Sequence, residues 1–143
     1  MRQKSEAQQF LSQVEKLDAV VRNKLIERQQ WMDIALGITA NMEGERVQSS
    51  GSQSKMENAV IKLVDMQKEI NKSIDDLVKV KMGVIETIEM LDSPTEYNVL
   101  HMRYIQFMSL QDIADKYCRE YGWVTTTHGR ALAHVQAILD KRS

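Results

Sequence analysis

The sequence predicts an all-α fold in which a long antiparallel helical hairpin is followed by a small three-helix domain. Of the 143 residues only 6 are Gly and one is Pro, so the chain lacks the frequent turn formers of a sandwich or barrel. Met, Gln, Glu, Lys and Leu are abundant and favour helices. Long stretches with apolar residues every three or four positions also indicate helices.

The first predicted helix runs from about Lys4 to Leu36. This stretch contains no Gly or Pro, and its apolar residues form one stripe. The stripe consists of Phe10, Val14, Leu17, Val21, Leu25, Met32 and Ala35. Three glycines and several serines then predict a flexible polar linker over about residues 37–54.

A second long helix is predicted to begin after Ser54, which can cap it while Glu57 completes a capping box. Its apolar residues alternate three- and four-residue steps, as in a coiled coil, with polar interruptions at Gln67 and Lys81. The predicted seam is Met56, Val60, Leu63, Ile70, Ile74, Leu77, Val84, Ile88 and Leu91.

Two such helices cannot each bury a stripe alone, so they should fold back as a hairpin, pair with another chain, or both. Ile61, Val64, Val78 and Ile85 fall outside the seam and need cover. We expect a homodimer through the long helices. The alternative is that the C-terminal domain packs back and covers these side chains.

A domain boundary is predicted near residue 92. Residues 1–92 form the hairpin, for oligomerisation or partner contact, and residues 93–143 form the small domain. Ser93 is a good N-cap, Pro94 suits the first helical position, and Glu96 completes a second capping box. Short helices are expected over about residues 95–106, from Ser109 onward, and over about residues 124–141.

The small domain has the spacing of a helix-turn-helix. Such a unit needs a small residue in its first helix, a residue that tolerates a left-handed turn four positions later, and an apolar residue six beyond that; Ala114, Cys118 and Val124 fit. Gly122 is a second candidate for the turn, which would lengthen the first helix. Cys118 is expected to be a small buried residue. The last helix is expected to bury Val124, Ala131, Leu132, Val135, Ile138 and Leu139.

At these positions the chain resembles the region-4 helix-turn-helix of sigma factors. More narrowly, it is similar to the RinA/ArpU-like prophage transcriptional regulators of Gram-positive bacteria. The resemblance covers about residues 96–140 and implies a DNA-binding domain. The matching residues are Leu100, Arg103, Tyr104, Ile105, Ser109, Leu110, Ile113, Ala114, Val124, His128, Gly129, Ala131 and Leu132.

The resemblance also implies which residues touch double-stranded DNA. Thr125, Thr126, Gly129 and Arg130 would face the major groove, where Arg can bind guanine in bidentate fashion and Thr can contact bases or phosphates. Arg103, Lys116 and Arg119 would contact phosphates, which position the protein without specifying sequence. Tyr121 and Trp123 complete the predicted DNA-binding set, although Trp123 suits hydrophobic anchoring equally well.

The charge distribution predicts weak binding by one domain. The chain has a net charge of −1, but residues 116–142 carry five basic side chains against two acidic ones. So few cations imply a shallow dependence of affinity on salt. Two copies on adjacent half-sites would raise the apparent affinity.

The leading functional hypothesis is a phage or prophage transcriptional regulator that acts at promoters with RNA polymerase. A promoter-melting region is not recognisable, so the chain is not expected to be a complete sigma factor. One alternative is a DNA-packaging recognition subunit resembling the small terminase. The other is a protein-interaction adaptor whose helix-turn-helix is vestigial.

Other classes of function have no support in the sequence. We find no Gly-rich phosphate loop, HExxH or GxSxG motif, so we expect no catalysis and no cofactor. His128 and His134 are six residues apart and face different ways on a helix, and the single Cys118 excludes a four-Cys zinc site, so we expect no metal. Neither a signal peptide nor a membrane span is recognisable, which predicts a cytoplasmic protein with no membrane partner.

Overall fold

A computed structural model of the chain describes residues 4–44 and 50–143, with side chains described at 4–38 and 53–143. The helices are α1 (Glu6–Gly44), α2 (Ser50–Ile88), α3 (Pro94–Leu100), α4 (Leu110–Lys116) and α5 (Tyr121–Arg142). A π-helical turn, His101–Ile105, continues directly from α3. The described residues contain no strand, so the predicted all-α class is confirmed.

Most of the predicted linker is helical. α1 continues through Gly37 to Gly44 and α2 begins at Ser50, so the prediction of a linker is wrong for residues 37–44 and 50–54. Residues 45–49 lie outside the described residues. Ser54 is therefore inside α2 and does not cap it. An exposed glycine costs a helix only about 1 kcal/mol relative to Ala, which a long cooperative helix can absorb.

The chain divides into two compact units. The C-terminal unit combines Met1–Leu17 with Leu77–Ser143, and the hairpin unit is Asp18–Asp76. The contacts thus group the first part of α1 and the last part of α2 with the short helices. The predicted division, by contrast, set residues 1–92 apart from residues 93–143.

Within the hairpin unit α1 and α2 run antiparallel. Lys24 Nζ lies 3.3 Å from Glu69 Oε2, and Arg28 Nη1 donates a hydrogen bond to Gln67 Oε1 at 2.6 Å. Residue numbers rise along α1 as they fall along α2, so the predicted direction is confirmed. The interior here is partly polar, because Arg28 and Gln67 are both half-buried.

The seam of α2 is rotated from its predicted position. Val60 and Ile74 are 49% and 38% exposed, whereas Ala59 is buried and Ser73 is half-buried. Small side chains such as those of Ala59 and Ser73 allow close approach of a neighbouring helix. The prediction counted only large apolar side chains and therefore left these two residues out of the seam. The observed seam of the hairpin unit is Met56, Ala59, Leu63, Met66, Ile70 and Ser73.

The apolar side chains predicted to need cover are mostly uncovered. Ile61, Val64 and Val78 are 59%, 50% and 48% exposed, while Ile85 is half-buried. Val78, which belongs to the C-terminal unit, is therefore left uncovered by the described residues of that unit.

The C-terminal unit has a continuous core between the two ends of the hairpin helices and α5. Gln136 Oε1 on α5 accepts a hydrogen bond from the Ala7 backbone N–H at 3.0 Å. Farther along α5, Arg142 Nη1 donates to Thr87 Oγ1 at 2.9 Å. These bonds and the core fix α5 in place. The buried core residues are Ala7, Leu11, Val14, Val84, Ile88, Leu100, Tyr104, Ala131 and Val135.

The start of α3 follows the sequence prediction in part. Ser93 is the N-cap, and its Oγ accepts from the Glu96 backbone N–H at 3.2 Å, with Pro94 in the first turn. The Glu96 carboxylate instead contacts α5, where Oε1 lies 2.5 Å from His134 Nδ1. The cap is confirmed, and the nearly buried carboxylate ties α3 to α5.

Candidate nucleic-acid interface

The α4–turn–α5 segment has the internal geometry that its spacing predicts. Ala114 and Val124 are fully buried in a small core with Val99 and Ile113. Cys118 has φ of 52°, in the left-handed region. The helix-turn-helix spacing is therefore confirmed at its small, turning and apolar positions.

A Schellman motif closes α4 at this turn. The Arg119 N–H donates to Ala114 O at 2.9 Å, and the Cys118 N–H donates to Asp115 O at 3.1 Å. These bonds satisfy carbonyls at the helix end and offset the strain of a left-handed non-glycine residue, about 1–2 kcal/mol. Gly122 lies inside α5 and does not form the turn.

Two expectations about this turn are wrong. Cys118 is exposed rather than buried, because the left-handed turn projects beyond the end of α4. α5 begins at Tyr121, three residues earlier than predicted, because the turn is complete by Arg119. The first turn of α5 therefore contains Tyr121, Gly122 and Trp123.

The N-terminal half of α5 has one exposed face and one buried face. Thr126, Gly129 and Arg130 are exposed, at three- and four-residue spacing. Thr125 is half-buried, and its Oγ1 donates to Gly122 O at 3.0 Å. A Cβ added at Gly129 would meet nothing within 4 Å, so packing within the described chain does not require glycine there. The opposite face buries Val124, Thr127, His128 and Ala131.

Lys116 and Arg119 supply positive charge beside the turn, and both are exposed. The Arg119 guanidinium lies 5.0 Å from the centroid of the Trp123 ring, within the range of a cation–π contact. Trp123 is half-buried and its ring centroid is 5.3 Å from that of Tyr117. Trp123 therefore anchors the turn and also orients Arg119.

Arg103 and Tyr121 line a different surface, an open groove of about 440 Å³. Arg103 is half-buried, and its Nη1 donates to Met108 O at 3.4 Å. Tyr121 is 51% exposed. The nine predicted residues thus fall on the α5 face, the Lys116–Arg119 side of the turn and this groove. The groove residues are Arg103, Phe107, Ser109, Leu110, Gln111 and Tyr121.

A buried polar pair lies beneath the exposed face of α5. The Tyr104 hydroxyl lies 2.7 Å from His128 Nε2, and the two side chains are 3% and 8% exposed. Burial lowers the pKa of His128, and the nearby Arg103 charge lowers it further. Burial raises the pKa of Tyr104, and the Arg103 charge and the Gln8 side chain partly offset this rise. Nε2 of a neutral His128 can therefore accept a hydrogen bond from the Tyr104 hydroxyl.

The sequence prediction missed the role of this pair, considering His128 only as a metal ligand and as part of the family resemblance. The four-, three- and four-residue steps from Val124 through His128 and Ala131 to Val135 place His128 on the buried line of α5. That spacing was a usable signal. Across the described residues, no three His, Cys, Asp or Glu side chains come together to hold a metal ion.

None of the described helices is long and apolar enough to cross a membrane.

Comparison with known proteins gives a match to one family. No curated protein and no solved structure matches the chain. Residues 37–135, more than half of the chain, match the family described as protein of unknown function, DUF1492. The chain therefore belongs to the DUF1492 family.

Proposed function

We propose that the helix-turn-helix of α4 and α5 binds double-stranded DNA, with the N-terminal half of α5 in the major groove. The observation that carries this proposal is the exposed face formed by Thr126, Gly129 and Arg130. It projects from a helix whose other side is fixed in the core. The major groove is wide enough to admit such a helix.

Each part of the surface has a distinct role in this proposal. Arg130 reads a base edge, because a guanidinium can donate two hydrogen bonds to guanine. Gly129 lets the helix approach the DNA closely. Lys116 and Arg119 contact phosphates and so set position rather than sequence preference. The groove lined by Arg103 and Tyr121 contacts the DNA backbone beside the N-terminal end of α5.

The finer proposal rests on the resemblance to RinA/ArpU-like regulators. We infer a phage or prophage transcriptional regulator that binds at promoters and acts with RNA polymerase, without being a complete sigma factor. The left-handed turn at Cys118 and the buried Ala114 and Val124 support the region-4-like part of this resemblance.

The test begins with selection of duplexes from a random-sequence library by the intact protein. The affinity of Arg130→Ala for the selected duplex is then compared with that of the parent. Loss of a bidentate base contact is worth about 1–3 kcal/mol, so we expect affinity to fall about fivefold to 150-fold. The preference for one base pair should relax at the same time.

Two further variants separate specific from general binding. Lys116→Ala should weaken binding to selected and unselected duplexes alike and lower the salt slope by about one. Lys79→Ala, an exposed lysine of α2, removes the same charge elsewhere and should change neither quantity.

Failure to enrich any sequence, together with no retention of duplex by the parent, would overturn the proposal and favour the adaptor alternative. Unchanged sequence preference in Arg130→Ala would remove the role assigned to Arg130. A closed ring of many copies in solution would favour the packaging alternative over the regulator.

A further inference from the structure

The outer surface of α2 carries an exposed apolar stripe that does not face α1. Val60, Val64, Val78 and Met82 are 49%, 50%, 48% and 56% exposed, and Asn71 between them is also exposed. Successive members are four, seven, seven and four residues apart, so they follow one side of the helix. We call these five residues the α2 stripe.

The side of α2 away from the α2 stripe is charged rather than apolar. Most of its exposed side chains are those of Lys, Asp and Glu. Single exposed apolar residues are normal on a protein surface, but a regular row of them marks an interaction site. The charged residues on that side are Lys62, Asp65, Glu69, Lys72 and Asp76.

The α2 stripe reads the same in both directions from Asn71. Val64 and Val78 lie seven residues before and after it, and Val60 and Met82 lie eleven before and after. An interface between two identical copies related by a two-fold axis must match its own reversed pattern. If the axis passes at Asn71, Val60 faces Met82 of the second copy and Val64 faces Val78.

Charged residues beside the stripe favour the same arrangement. Lys68 and Asp75 are exposed and seven residues apart, so they share one edge of the stripe. In an antiparallel pair centred on Asn71, Lys68 comes within one residue of Asp75 of the second copy along the helix, and the contact occurs twice. A parallel two-fold pair would instead place this edge of the two helices on opposite sides of the contact, so Lys68 would not meet Asp75.

We propose that two copies of the chain pair antiparallel along the α2 stripe, with Asn71 on the two-fold axis. The apolar residues at the two ends of the stripe provide the burial. The polar centre sets the register, as a polar residue in a coiled-coil seam does. This inference stands apart from the proposed DNA binding, because the protein alone tests it.

The first measurement is the mass of the full-length protein in solution by analytical ultracentrifugation over a range of concentrations. We expect twice the chain mass of 16.5 kDa at the upper end. Val64→Lys places a charge against Val78 of the second copy and should raise the dimer dissociation constant by at least about tenfold. A parent that stays monomeric at millimolar concentration would overturn the proposal.

The matched control is Asn58→Lys, which adds the same charge at an exposed position of α2 away from the stripe. It should leave the dissociation constant unchanged, and circular dichroism should show that both variants remain helical. Equal weakening by the two variants, or none by Val64→Lys, would show that the stripe is not the contact.

A cross-linking measurement tests the register. Asn71→Cys in a Cys118→Ser background gives each chain one thiol, which meets its own copy at the proposed axis. Mild oxidation should convert most of this variant to a covalent dimer. The equivalent Asn58→Cys chain should stay uncross-linked. Cross-linking at residue 58 but not at residue 71 would contradict the register.

Charge reversal tests the orientation. Lys68→Glu alone should weaken the dimer, because it opposes Asp75 of the second copy. The double variant Lys68→Glu with Asp75→Lys should restore it, since each new charge again meets its opposite. In a parallel pair Lys68 and Asp75 do not meet, so failure of the double variant to recover would exclude the antiparallel arrangement.

Discussion

The pair of Tyr104 and His128 connects three helical segments through single side chains. Tyr104 lies in the π-helical turn and contacts His128 on α5, and the Gln8 side chain on α1 lowers the pKa of Tyr104. His128 lies two positions before Arg130, so this buried pair supports the helix that carries the proposed base contact. A polar group without a partner at this position would be costly.

Protonation of His128 should destabilise the fold. Its pKa is lowered from 6.5 in the folded protein, mainly by burial, so the unfolded chain binds this proton more readily. The stabilisation is complete above the unfolded pKa and is lost as pH falls through that value toward the folded one. We expect the free energy of unfolding, measured with urea, to decrease as the pH falls below about 6.5.

The variant that checks this is His128→Gln, which removes the titrating ring. Its unfolding free energy should be lower than that of the parent at pH 8, with a smaller loss on acidification. His101→Gln is the matched control, since its ring lies outside the Tyr104–His128 pair. A parent slope that persists unchanged in His128→Gln would contradict the assignment.

Residue-level prediction from the sequence succeeded at some of the positions where a local rule applied. Ser93 acts as the predicted N-cap and Cys118 adopts the turn conformation that its spacing indicates, whereas Ser54 lies inside α2. The exposure of Cys118 was not predicted, because composition favours burial of cysteine while the Schellman turn forces this residue outward. The Tyr104–His128 contact joins residues 24 apart, so local pattern did not reveal it.

At the scale of elements, α5 has a structural role on one side and a proposed DNA-binding role on the other. Its buried line packs against the core, and its other face carries Gly129, which lowers helix stability. A Cβ added at Gly129 would meet nothing in the described chain within 4 Å, so packing against the described residues does not require glycine there, and close approach of DNA is the reason that we propose.

Gly129→Ala should therefore separate stability from binding. The free energy of unfolding should rise by about 1 kcal/mol, because alanine is the better helix former and its Cβ meets no neighbour. Affinity for the selected duplex should fall, because the methyl group holds the helix away from DNA.

The control for this prediction is Gly37→Ala, at another helical glycine with no neighbour within 4 Å of an added Cβ. It should give a similar gain in stability with no change in DNA affinity. A Gly129→Ala protein that binds DNA as well as the parent would show that close approach at Gly129 is not needed.

The long helices were predictable as elements, but not in their ends or their exact faces. Hydrophobic spacing identified α2, yet it selected Val60 and Ile74 for the seam instead of Ala59 and Ser73. Where apolar residues lie on two adjacent lines of one helix, the packing of the neighbouring helix determines which line is buried. The glycines at residues 37, 44 and 51 led to the wrong prediction of a linker where the structure is helical. Helix propensity is a weak preference that the surrounding chain can override.

At the scale of the whole molecule, two exposed surfaces carry the proposed interactions. The exposed face of α5 is the proposed reader of DNA, and the α2 stripe is the proposed contact between copies. Sequence spacing could predict the all-α class and the helix-turn-helix. It could not predict that the ends of α1 and α2 belong to the same compact unit as the short helices, because those contacts are distant in sequence: Ala7 and Gln136 are 129 residues apart, and Thr87 and Arg142 are 55 apart.

Amide chemical-shift mapping by NMR tests most directly whether the N-terminal half of α5 binds in the major groove of DNA. On titration of the intact protein with its selected duplex, the largest changes should fall on residues 122–130 and on Lys116 and Arg119. Changes confined to α2 or to the C-terminal end of α5, with residues 122–130 unaffected, would contradict the account.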